Sequence, residues 1–425
     1  MPWEFTKMIH RHTALWIAAF AVLTLLGCKN APPADSLCTY EPLPATAEVP
    51  SGQGAIQVLA STDTYFYVFD STGKQIGSHA VNGLLPVKSG DYRLKLNNSA
   101  HPVAVKEKIL TKCSTGAVLT SANTDEYYYV FDYAGTQLAS AHLGSALSLF
   151  PTSYRVRLNN SDTTANVQVG STTELKPGTV DVEASTDEYY YVFDAGARQL
   201  ASSHVGKALG LFAGKYTVKV NNSQAQFEVH PGAGSTVPAG TLVVQGTTDE
   251  YYYVFDTGGT QLASAHLARP LAFLPGSYNV KVNNSTTPAT VTPGTTVEVK
   301  AGGVVVQGTT DEYYYIFDTA GTQLASAHLG RPVSLVPGEY RAKVNNVPIP
   351  VHAEAGRTSE YLAGTLTVKS AGSEYYYVFD LAGTQLASKQ LNQPISLPAG
   401  KYSIKVGNNL RPVAVTAGQA VVLNW

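Results

Sequence analysis

An all-β fold of six tandem, 62-residue antiparallel β-sandwich modules set in a rod is predicted by three observations. Asp70, Asp132, Asp194, Asp256, Asp318 and Asp380 each close an aromatic run (YFYVFD, YYYVFD or YYYIFD), and each lies 62 residues after the one before. A fixed period of this length marks one supersecondary unit copied end to end. Within each copy, short runs rich in Val, Tyr, Phe and Thr alternate with Gly, Pro and Asn turn signals, and no window carries the i, i+3, i+4 spacing of a helix.

The chain opens on a targeting segment. Lys7 and Arg11, flanked by His10 and His12, precede an apolar stretch from Ala14 to Leu26 that ends Leu25-Leu26-Gly27-Cys28. A basic start followed by an apolar run too short to span a bilayer comfortably reads as a signal peptide over residues 1–27. A small residue before a cysteine resembles the lipobox of bacterial lipoprotein precursors. That resemblance implies cleavage before Cys28, a diacylglyceryl cysteine as the new N-terminus, and an anchor in the outer membrane, since Lys29 stands at the sorting position. The anchored chain would face the periplasm or the cell surface. An ordinary secretory signal with an incidental cysteine is the alternative. Residues 28–54 hold Pro32, Pro33, Pro42, Pro44 and Pro50 without a helical or strand period and read as a tether.

Beyond Cys28 only Cys38 and Cys113 remain. An even pair in an exported chain points to a disulfide, with two separate thiols as the other reading. The 425 residues carry 44% hydrophobic and 14% charged residues, enough apolar material for several small cores. A net charge of −2, with the basic residues scattered, gives no footprint for nucleic acid. The expected partners are the membrane, through the lipid anchor, and envelope proteins or polysaccharide.

The copies follow one another almost without spacers, at residues 55–116, 117–178, 179–240, 241–302, 303–364 and 365–425. In the fourth, the turn signals TGG, LPGS, VNNS, TPGT and KAG divide the sequence into six or seven strands. Strand alternation puts Tyr251, Tyr253 and Phe255 on one face, expected to be core, and Tyr252, Val254 and Asp256 on the other. After the PGS turn, Tyr278, Val280 and Val282 share one face, and Asn279, Lys281 and Asn283 the opposite one.

The leading GTLVV, the YVFD run, LPGxYxVKV and the closing TVEVKAG together resemble the PEGA family of small bacterial envelope domains. The name-giving turn is approximated as LPGS at 274–277, LVPGE at 335–339 and LPAGK at 397–401. The resemblance implies a β-sandwich of about this length, non-catalytic and often carried by membrane-anchored proteins, with no established ligand. A six-bladed β-propeller is the rival architecture, because YVFDxxGxQLAS also resembles the strand and turn of a blade. Six stacked sandwiches would instead reach on the order of 120–200 Å.

Three outward features recur. The first is an aromatic expected to be exposed: Phe66, Tyr128, Tyr190, Tyr252, Tyr314 and Tyr376. The second is a basic residue at Lys95, Arg157, Lys219, Lys281, Lys343 and Lys405, followed three positions on by Asn98, Asn160, Asn222, Asn284, Asn346 and Asn408. An aromatic face, a planar amide and a charged donor are the means by which proteins hold a sugar ring, so each copy is a candidate glycan site, summed by multivalency. The same residues also serve strand propensity, cross-strand pairing and turn geometry. The third feature is acidic: Asp125-Glu126, Asp187-Glu188, Asp249-Glu250 and Asp311-Glu312. Calcium is the one cofactor these carboxylates suggest, although their spacing matches no calcium loop. His142, His204, His266 and His328 keep the period but stand one to a copy, short of the three or four ligands of a zinc site. No copy offers a nucleophile–base set or a phosphate loop, and no copy departs from its siblings as an active site would. The sequence therefore describes a non-catalytic spacer, scaffold or adhesion element, with a multivalent carbohydrate-binding protein as the alternative.

Overall fold

A computed structural model describes residues 37–62 and 64–425 of the chain. The signal segment, Cys28 and the first part of the tether lie outside the described residues. All regular structure among the described residues is β, arranged as six repeated modules of two facing sheets.

The fourth module serves as the type. Its seven strands are β1 (Gly240–Gln245), β2 (Tyr251–Phe255), β3 (Gln261–His266), β4 (Leu271–Phe273), β5 (Gly276–Val282), β6 (Ser285–Val291) and β7 (Thr296–Lys300). One sheet has the order β4-β1-β7 and the other β3-β2-β5-β6. The core lies between them, with Leu242 and Val244 of the first sheet facing Tyr252, Val254, Val280 and Val282 of the second. Gly240 opens β1 because a Cβ there would sit 2.3 Å from the Thr292 carbonyl oxygen.

One expectation changes here. The sheets are not wholly antiparallel: β1 and β7, the first and last strands, run parallel side by side. The chain therefore leaves each module at the end opposite its entry, which sends successive modules along a line. The rival propeller is excluded, because each module is two facing sheets and not one four-stranded blade, and no sheet of the described residues joins a strand of the first module to one of the sixth.

The aromatic run also turns its other face inward. Tyr252 and Val254 point inward and are fully buried, whereas Tyr251 is 47% exposed. Directly opposed residues share a face, and Tyr252 pairs with Val282 while Val254 pairs with Val280, so the valines of β5 decide which tyrosine enters the core. Phe66, Tyr128, Tyr190, Tyr314 and Tyr376 are likewise fully buried. Tyr252 is accommodated because its hydroxyl donates to the Arg269 carbonyl at 2.7 Å, with the Leu242 carbonyl 3.4 Å away. Asp256 is no guide to the outer face, since it lies beyond the end of β2 and caps a turn, accepting from the Thr260 N–H at 2.8 Å.

Cys38 and Cys113 are joined by a disulfide. It fixes a leader strand, Cys38–Pro42, antiparallel along the Ile109–Ser114 strand of the first module.

Candidate functional sites: the module joints and the outer aromatic face

Single residues separate the last strand of one module from the first strand of the next at Thr115, Ala239 and Ala301. Between the fifth and sixth modules there is no spacer, because Thr358–Lys369 is one continuous strand. The second and third are separated by Lys176 and Pro177.

The turn between β5 and β6, Asn-Asn-Ser in the first four modules and Asn-Asn-Val in the fifth, makes each joint. Its first asparagine adopts a left-handed backbone, with φ of 45–50° at Asn97, Asn159, Asn221, Asn283 and Asn345, a conformation asparagine tolerates. These five side-chain amides donate to carbonyls of the following module, at Ser148, Gly210, Ala272, Ser334 and Ser396, over 2.8–3.0 Å. The second asparagine does the same: Asn98, Asn160, Asn222 and Asn346 donate to the carbonyls of Leu138, Leu200, Leu262 and Leu386. At Asn284 the backbone N–H reaches Leu324 instead. The second asparagines, which the sequence offers as sugar ligands, thus join the first in holding modules together. Asn408, with no described module after it, is exposed.

The serine of the turn is buried and faces an apolar plug. Phe150, Phe212, Leu274 and Val336 each enter the core of the module before their own. Their N–H groups donate to Ser99, Ser161, Ser223 and Ser285 at 2.9–3.1 Å. At the last joint both partners change together: the acceptor position holds Val347 and the donor position holds Pro398, which has no N–H to satisfy. Val347 packs against the sixth core instead.

The acidic pairs divide the work. Glu126, Glu188, Glu250 and Glu312 accept the N–H of Gly210, Ala272, Ser334 and Ser396 in the next module at 2.6–2.8 Å, and each also accepts from the joint asparagine of its own module. Carboxylates facing N–H donors are not arranged to collect the six to eight oxygens that calcium takes, and no group of three or more His, Cys, Asp and Glu gathers among the described residues. Asp125, Asp187, Asp249 and Asp311 stay exposed, within 2.7–3.5 Å of Nδ1 of His142, His204, His266 and His328. Each of these imidazoles also stacks on Tyr127, Tyr189, Tyr251 or Tyr313, with centroids 3.7–3.9 Å apart.

The outer face of the four-stranded sheet carries the aromatics that the wrong alternation placed inside. Tyr189 and Tyr191 are 49% and 38% exposed. Beside them Phe193 lies under the Lys219 ammonium, 4.7 Å from the ring centroid. Lys95, Lys281 and Lys343 sit over Phe69, Phe255 and Phe317 at 4.4–5.9 Å, and Arg157 over Phe131 at 5.1 Å. Arg157 is further held by Asp162, through its Nε at 2.7 Å. Lys405 is exposed beside Tyr377. In the third module these groups, with Gln199 and Asn222, line an open groove of about 570 Å3. The basic residues singled out in the sequence thus do lie on an aromatic surface, and their neighbours are Tyr129, Tyr191, Tyr253, Tyr315 and Tyr377.

No family model and no curated protein matches the chain. Among solved structures, the Bacillus anthracis TIE protein aligns at 13% identity and a TM-score of 0.14, over 59% of this chain and 68% of its own. The pilus adhesin SpaC of Lactobacillus rhamnosus GG aligns at 10% identity and a TM-score of 0.13, over 91% of this chain, which spans 56% of the adhesin. BcpA, the major pilin subunit of Bacillus cereus, aligns at 10% identity and a TM-score of 0.13, over 88% of this chain and 99% of its own. At such scores the likeness does not extend to the arrangement of whole chains and carries no functional argument.

Proposed function

We propose that the chain is a non-catalytic element of the bacterial cell envelope: a stiff rod of PEGA-like modules, lipid-anchored at Cys28 to the outer membrane, that spaces or scaffolds what it carries. The observation that supports this reading is the joint. Linkers of at most two residues, an apolar plug and a set of paired amides and carboxylates leave neighbouring modules little freedom to swing. Small-angle scattering should give a maximum dimension beyond roughly 120 Å, whereas a compact body of this length would span only about 60 Å. Glu250→Ala should weaken its joint by about 2–3 kcal/mol, since the Ser334 N–H and the Asn283 amide lose a charged acceptor. It should shorten the maximum dimension by letting the rod bend there. A wild-type value near 60 Å would overturn the spacer.

A second reading is favoured by the outer face. Six aromatic–cationic surfaces, one per module, suit weak, multivalent retention of cell-wall or surface polysaccharide. Tyr191→Ala with Lys219→Ala should reduce retention on an immobilised glycan array while leaving the melting temperature within about a degree, because both side chains project from the sheet. Unchanged retention on every glycan that holds the wild type would remove this reading.

A further inference from the structure

The first sheet of every module ends on an edge strand, and in the first module that edge is occupied. There the leader strand Cys38–Pro42 lies antiparallel on Ile109–Ser114, with the Ser114 N–H donating to the Leu37 carbonyl at 2.9 Å and the Leu43 N–H to the Lys108 carbonyl at 3.1 Å. This edge therefore accepts an antiparallel strand. Its counterparts Thr172–Leu175, Gly234–Pro238, Thr296–Lys300, the first half of Thr358–Lys369 and Ala420–Asn424 carry no such strand among the described residues.

An open edge is a template for a second chain unless its side chains blunt it. The residue at the middle of the edge decides, because two copies that pair antiparallel about a two-fold axis set that residue against itself. In the second, fourth and fifth modules it is Glu174, Glu298 or Glu360, and carboxylate against carboxylate is repulsive. In the third it is Thr236, followed by Pro238, which cannot donate to a ladder. In the sixth it is Val422, 52% exposed, within the uncharged run Ala-Val-Val-Leu-Asn.

We propose that Ala420–Asn424 is a self-pairing edge, through which two copies of this chain join sixth module to sixth module. The Gln419 carbonyl and the Trp425 N–H bond inward to Thr365 and Lys369. By strand alternation the backbone groups of Ala420, Val422 and Asn424 face the open side. Val422 then meets its own copy, and Ala420 meets Asn424 of the second chain. The exposed Arg411 guanidinium now donates to the Asn424 carbonyl at 3.0 Å, a bond that pairing exchanges for a backbone one. Val421 and Leu423, which pack on the sixth core, extend the apolar layer across the axis.

Sedimentation velocity on the full chain in mild detergent, over a concentration series, tests this. The wild type should dimerise. Val422→Glu and Val422→Lys should each weaken the dimer by roughly tenfold or more, through like charges placed opposite one another. An equal mixture of the two variants should restore it. Glutamate already occupies this position in three sibling modules, so the fold should tolerate it, and an unchanged melting temperature verifies that. A wild type that stays monomeric throughout, a Val422→Glu chain that dimerises as well as wild type, or folded variants whose mixture stays monomeric would each overturn the proposal.

Discussion

Tyr252→Ala should destabilise the fourth module by roughly 3–5 kcal/mol, while Tyr253→Ala, one residue on, should stay within about 0.5 kcal/mol. Tyr252 is fully buried between Leu242, Val254, Val280 and Val282, so truncating it removes a large ring from a packed core and leaves a cavity. It also frees the Arg269 carbonyl that its hydroxyl satisfies. Tyr252→Phe separates the two contributions, since it keeps the ring and should cost only about 1 kcal/mol. Chemical denaturation of the full chain reads all three, as a transition of the fourth module that moves far to lower denaturant for Tyr252→Ala, slightly for Tyr252→Phe and least for Tyr253→Ala. The opposite order would mean that β2 presents its other face to the core. Alkaline titration adds a check with a definite sign. Burial raises the Tyr252 phenol well above its ordinary value, as it does for Tyr128, Tyr190, Tyr314 and Tyr376. The unfolded chain therefore gives up these protons first, so stability is intact below about pH 10 and falls as pH rises through and beyond it.

The second large effect belongs to the disulfide. Replacing Cys38 and Cys113 together by alanine should cost the first module about 4 kcal/mol, because the bond closes a separation of 75 residues. The other five modules should keep their transitions. The loss is local because the bond does more than shorten the unfolded chain. It holds the leader strand against Ile109–Ser114, where Cys38 and Cys113 themselves pack in the first core. Freed of the bond, the leader strand should exchange its backbone protons faster, and hydrogen exchange over Cys38–Pro42 measures that directly. Melting of the first module that is identical with and without the bond would contradict this account.

Much of the fold was legible in the residues. The period, the grammar of six or seven strands and the inward face of β5 are all readable because turn chemistry and alternation carry a direct steric meaning. Tyr278, Val280 and Val282 alternate with Asn279 and Lys281, so one face of that strand is plainly apolar. Three consecutive tyrosines offer no such contrast. Either face of β2 is aromatic, and a one-residue shift exchanges core for surface. The pairing with β5 resolved it, and strand order is not written in a local window. The joints were hidden for another reason. Asn-Asn-Ser reads as a turn, and it is one. That its side chains reach into the next module depends on how modules stack. One trace was present in the sequence: Val347 and Pro398 depart from the pattern together, 51 residues apart, as the two halves of a single lost hydrogen bond would. The parallel pairing of β1 with β7 left no local mark at all.

That parallel pair determines how the array carries tension. A pull on the chain enters a module at the start of β1 and leaves at the end of β7, so two neighbouring strands are dragged in opposite directions along their shared axis. The hydrogen bonds between them lie across the force and are loaded in shear. They must yield together, whereas a hairpin pulled open at its end unzips one bond at a time. Each of the last five modules is thus a mechanical latch in series, whereas the Cys38–Cys113 bond carries the load past the strand pair of the first. Under load a latch's survival is set by the rate of rupture of its one strand pair, and its equilibrium stability plays the smaller part.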